Sequence, residues 1–126
     1  MAPSTLEVMT RELTDRERAV LTLMIDSAGA FADDPEPSDE ARRRWRAQLA
    51  GARAGAACGC GTCPSIELEN EHGHTPAGGR RMVLSASHPH ASLLLFIDGD
   101  RLSYLELAPH GERPFPAFPP VAEITV

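Results

Sequence analysis

The chain has 126 residues, 42% of them hydrophobic, a size that suits one folded unit with its own core and leaves no room for two. Its formal net charge of −6 opposes the attraction to phosphate that supplies most non-specific nucleic-acid affinity, so nucleic acid is not an expected partner. No apolar run approaches the roughly 20 residues of a membrane helix, the longest being the strand-sized Leu93 to Ile97.

In chain order, residues 1–13 read as an N-terminal arm. Met1 to Thr10 has neither a cationic start nor an apolar segment, which predicts no secretory signal and a cytoplasmic protein. Residues 14–50 read as helical. Thr14-Asp15-Arg16-Glu17 has the form of a capping box, and Val20, Leu21, Met24, Ile25 and Ala28 follow at helical spacing. This predicts a helix over 14–28, closed by Gly29 in a left-handed conformation. Asp33-Asp34-Pro35-Glu36-Pro37 cannot continue it, and Ser38 is suited to cap a second helix running to about Ala50. Ala41, Trp45, Gln48 and Leu49 form its apolar stripe, with Trp45 as a core anchor. Arg42-Arg43-Arg44-Trp45-Arg46 could grip a phosphate and stack on a base. The simpler reading is a solvated face on which Asp39 answers Arg43 and Glu40 answers Arg44.

From Ala52 the periodicity changes to that of strands, predicting a sheet over 52–107. Ser65 to Glu69 alternates, Arg81 to Ser87 forms another strand, and Ala91 to Ile97 is apolar enough for a central strand covered on both faces. Asp98-Gly99 matches a two-residue hairpin turn from which Asp100 to Leu107 returns antiparallel. Residues 108–126 form a proline-rich tail, tied down by Phe115 and Phe118, with a short edge strand over 121–126. The expected fold is α+β, two N-terminal helices packed on one face of a mainly antiparallel sheet of four or five strands.

The chemistry concentrates at Cys58-Gly59-Cys60-Gly61-Thr62-Cys63-Pro64, which holds all three cysteines. In a reducing cytoplasm clustered thiols serve as metal ligands or redox groups more often than as disulfides. Zinc takes about four nitrogen or sulfur ligands. Cys58, Cys60 and Cys63 offer three, and His72 with His74, or His88 with His90, could add a fourth. Alternatively the thiols are packed structural groups in a glycine-rich connection. Cys60-Gly61-Thr62-Cys63 also has the form of a redox pair, although Pro64 and a strand follow it where redox sites place a helix. Glu67, Glu69 and Glu71 share a strand face and read as solvated, and no nucleophile elbow, phosphate loop or metalloprotease helix is present.

Three segments, Arg46-Ala47-Gln48-Leu49, the turn and strand from Cys58 to Leu68, and the hairpin from Leu93 to Glu106, resemble a family of small uncharacterised actinobacterial proteins. The likeness covers roughly residues 41–106. That family's turn reads Cys-Gly-Cys-Gly-Cys, whereas here Thr62 precedes Cys63, and the two His-x-His pairs lie outside its pattern. The resemblance implies no activity and no catalytic residues. Together these features predict a small non-catalytic binding or interaction module whose partner is unknown and could be a protein, with a structural cysteine turn that could hold zinc. The competing class is a thiol redox enzyme or sensor using Cys60 and Cys63.

Overall fold

The computed structural model describes residues 10–60, 63–76 and 79–126. The first nine residues of the expected arm, Gly61 and Thr62 of the cysteine turn, and Ala77 and Gly78 lie outside the described residues. The elements run β1 (Arg11–Glu12), α1 (Asp15–Ser27), β2 (Gly29–Ala30), α2 (Asp39–Ala47), a 3₁₀ turn (Gln48–Gly51), β3 (Arg53–Ala57), β4 (Ile66–Asn70), β5 (Gly73–His74), β6 (Arg81–His88), β7 (Ala91–Asp98), β8 (Arg101–Pro109) and a 3₁₀ turn (Val121–Glu123).

The expectation of two helices on four or five strands is corrected. The strands form one eight-stranded sheet in the order β1-β3-β4-β8-β7-β6-β2, with β5 beside β4 and every pairing antiparallel. Nor do the helices precede the sheet, because β1 and β2 occupy its two edges and α1 connects them. Six inter-strand spacings of about 4.8 Å separate those edges, about 29 Å. Thirteen helical residues rise about 20 Å, and Leu13, Thr14 and Ala28 add about 10 Å if extended, so the connection suffices to cross the sheet.

The capping box forms as expected. The Glu17 amide donates to Thr14 Oγ1 at 3.0 Å and the Thr14 amide donates to Glu17 Oε1 at 2.9 Å. Arg11 also grips the Glu17 carboxylate. Burial raises the pKa of Glu17, but the bonds from Arg11 and Thr14 outweigh it and the net direction is down. Gly29 does not close the helix. Ala28 ends it in an extended conformation, and Gly29 passes into β2. Val20, Leu21, Met24 and Ile25 are fully buried, each contributing about 1.5–3 kcal/mol.

Ser38 caps α2 by accepting from the Ala41 amide at 3.1 Å, but the α-helix ends at Ala47 and tightens into the 3₁₀ turn. Three arginines of its basic run are engaged internally. Arg42 donates to the Ile25 and Ala28 carbonyls at the end of α1, Arg44 pairs with Asp100, and Arg46 pairs with Asp26. Of the expected helical pairs, Glu40–Arg44 forms at 3.9 Å, while Asp39 and Arg43 form none.

The core lies between the helices and one sheet face, where Leu84, Leu93, Leu95, Ile97, Leu105, Leu107, Ile66 and Leu68 are buried. Contrary to expectation, β7 is covered fully on one face only. Leu94 and Phe96 alternate with its buried residues and are half-buried on the other face, where Arg81 lies 4.9 Å from the Phe96 ring. The following turn is also shifted by one residue. Asp98 pairs with Arg101, so Gly99 and Asp100 are the central residues, with φ of +56° and +67°. Both positive values suit a type I′ turn.

Phe115 and Phe118 are buried plugs, and Arg16 of α1 donates to the Phe118 carbonyl at 2.8 Å. In place of an edge strand over 121–126 there is a 3₁₀ turn and a single antiparallel bridge, Ser87 to Thr125. No helix among the described residues is long and apolar enough to cross a membrane.

Candidate metal centre

The cysteine turn joins β3 to β4. Its base is closed by the Cys58 amide donating to the Ser65 carbonyl at 3.0 Å, and Gly59, at φ +83°, turns the chain back between two cysteines. Ser65 is buried. Its hydroxyl accepts from the Leu107 amide at 2.9 Å, which fixes the start of β4 against β8. On this support the sulfurs of Cys58, Cys60 and Cys63 all lie within 4.8 Å of one another. Cys60 and Cys63 approach to 3.2 Å, and the Cys63 thiol also donates to Ser65 Oγ at 3.3 Å. Cys58 and Cys60 are exposed and Cys63 is half-buried. The reading of these thiols as packed interior groups is therefore corrected for Cys58 and Cys60.

Three convergent sulfurs could hold a metal ion. Among the described residues they are the only group of three or more histidine, cysteine or acidic side chains placed to do so. Neither His72 nor His74 belongs to it. Both follow the far end of β4, and His74 is level with Glu69, about 13 Å along the strand from Ser65. His72 lies 3.9 Å from Glu71, and both are exposed. His88 is buried at the β6–β7 hairpin, with one ring nitrogen 3.1 Å from Glu123 and the other accepting from the His90 amide at 3.0 Å. Its ligand capacity is used where it stands.

Sequence reasoning missed Tyr104. The β4–β8 pairing sets it opposite Glu67 and brings its phenol near Cys58. Burial, and then the neighbouring Cys58 charge and hydrogen bond, push this phenol up to about 12. The Cys58 thiol is itself shifted. Its bond with the Cys60 backbone favours the thiolate, but the side chains of Cys63 and Cys60 together with burial outweigh it and push the thiol up. A divalent cation would reverse that balance, since thiolates that crowd one another without metal are what the ion binds. Tyr104 lies some 40 positions from the cysteines, and only the strand pairing brings it near.

No protein-family model matches the chain, and neither does any curated protein or solved structure.

Proposed function

We propose that this chain is a small non-catalytic binding module whose Cys58–Cys60–Cys63 turn holds a zinc ion. One observation supports this above the others, the convergence of three sulfurs on a turn tied down at both ends by backbone bonding and by Ser65. In zinc chemistry three thiolates leave one position of the tetrahedron for another donor. Because Cys58 and Cys60 are exposed, that position is open to water or to a donor on a protein partner. The ion would brace the β3–β4 connection. The resemblance to the actinobacterial family adds no activity to this reading, and its turn differs from this one at Thr62.

The 3.2 Å separation of Cys60 and Cys63 favours one other reading, a dithiol that cycles to a disulfide. In that cycle one thiolate attacks a disulfide of a partner protein, forming a mixed disulfide. The second thiolate then displaces the partner, which leaves with two electrons as a dithiol.

Metal content by plasma mass spectrometry on untagged, anaerobically purified protein, with thiol alkylation on the same sample, tests both. One equivalent of zinc with thiols that alkylate only after chelation supports the metal site. Metal-free protein in which Cys60 or Cys63 alkylates faster than a free cysteine peptide at neutral pH supports the redox reading.

A further inference from the structure

A second cleft, away from the cysteines, lies where the Pro35–Pro37 connector and the start of α2 meet β6 and the Gly99–Asp100 turn. Its volume is about 450 Å³, within the range of small-ligand sites, about 300–1,000 Å³. Pro37, Trp45, Met82 and Ile97 supply apolar wall. Four charged residues also line it, and three are already answered. Arg44 is forked onto Asp100, at 2.7 and 3.3 Å. Glu36 accepts from the Ala30 amide at 3.0 Å and lies 3.8 Å from Arg42. The fourth, Arg80, is exposed, and its guanidinium has no carboxylate partner among the described residues. Its backbone is fixed, since its carbonyl accepts from the Gly99 amide at 2.8 Å.

We propose that this cleft binds a small organic carboxylate, with the apolar body against the half-buried Pro37 and Met82, which Trp45 backs, and the carboxylate on Arg80. One unpaired guanidinium matches one negative charge, and its planar fork suits a carboxylate. A dianionic phosphate fits less well. With Arg80 the one free cation among the described lining residues, it would sit among Glu36, Asp100 and the acidic first turn of α2, Asp39 and Glu40. Neutral apolar molecules would fill the walls and leave Arg80 unused.

Trp45 is the only tryptophan in the chain and stands behind this cleft, so its fluorescence is one readout of binding there. The test titrates the full chain with octanoate and with its neutral isostere octanamide, followed by Trp45 emission and by line broadening in the ligand's proton NMR spectrum. The same titrations are run on Arg80→Gln, an exposed substitution whose folding is checked by circular dichroism. The proposal predicts saturable octanoate binding, octanamide weaker by about tenfold or more, and loss of that preference in Arg80→Gln. It is overturned if neither readout saturates with octanoate, if the two ligands bind equally, or if the preference survives in Arg80→Gln.

Discussion

Two turns of this sheet are built on opposite plans. The Gly99–Asp100 turn is gripped from outside, because α2 sends two side chains onto it and the 3₁₀ turn that follows sends a third. Arg44 and Trp45 Nε1 donate to the Asp100 carboxylate, the latter at 2.8 Å, and Gln48 donates to the Asp100 carbonyl at 2.8 Å. Gln48 also accepts from the Leu102 amide at 3.0 Å. Among the described residues, the cysteine turn is closed at its base by backbone bonding and Ser65, and its sulfurs face one another with Cys58 and Cys60 exposed. One turn thus carries its own clamp within the chain, while the other presents donors that an ion would clamp. The contrast shows how a tight turn can be structural in one place and chemically available in another on the same sheet.

The largest expected effect comes from removing the clamp. Trp45→Ala deletes a side chain only 3% exposed and should destabilise the protein by about 3–5 kcal/mol in urea denaturation. A loss under about 1 kcal/mol would show that α2 and the hairpin do not depend on each other.

Asp100→Ala comes next, at about 1–3 kcal/mol, because it strands the Trp45 donor and leaves a Cβ at φ +67° without the polar side chain that makes the left-handed conformation tolerable. Asp100→Gly should be milder, since glycine accepts that conformation freely. Equal losses would mean that backbone strain plays no part. The exposed Arg44 half of the clamp adds little by itself.

Acid sensitivity separates the turns further. The bond from Arg44, and then that from Trp45, hold the Asp100 carboxyl below its ordinary value despite burial, and Arg81 does the same for Asp98. Groups depressed in this way stabilise the fold above their unfolded pKa of about 3.9 and lose that contribution as pH falls through the lower folded value. The urea midpoint should therefore hold from neutrality to about pH 5 and fall below about pH 4, with a shallower fall in Asp100→Asn. An identical acid profile in Asp100→Asn would remove the clamp from the explanation.

The smallest effect belongs to the other turn. Replacing all three cysteines by serine should change metal-free stability by no more than about 0.5 kcal/mol, since Cys58 and Cys60 are exposed. Zinc should raise the Tm of the natural protein and leave the serine variant unmoved.

These two turns also show what could be read in advance. The cysteine trio was legible because its donors lie within six positions, and the capping box and the long strands β6, β7 and β8 were legible because each carries a cap or a period. β1, β2 and β5 were not, since a two-residue strand has no period and exists only through its partner's register. Leu94 and Phe96 made β7 look covered on both faces, whereas Phe96 is shielded partly by Arg81 and Tyr104 on the neighbouring strands. Asp98-Gly99 and Gly99-Asp100 are both plausible turn pairs by composition, and the register chooses the second. Tyr104 beside Cys58, and Asp100 beneath Trp45, depend on contacts across long stretches of chain that no local pattern encodes.

The central claim, a metal held by the cysteine turn, is tested most directly by X-ray absorption at the zinc edge of the zinc-loaded protein. Three sulfurs at about 2.3 Å with one nitrogen or oxygen neighbour at about 2.0–2.2 Å is the predicted first coordination sphere. Fewer than three sulfurs, or no zinc retained after gel filtration, would contradict it.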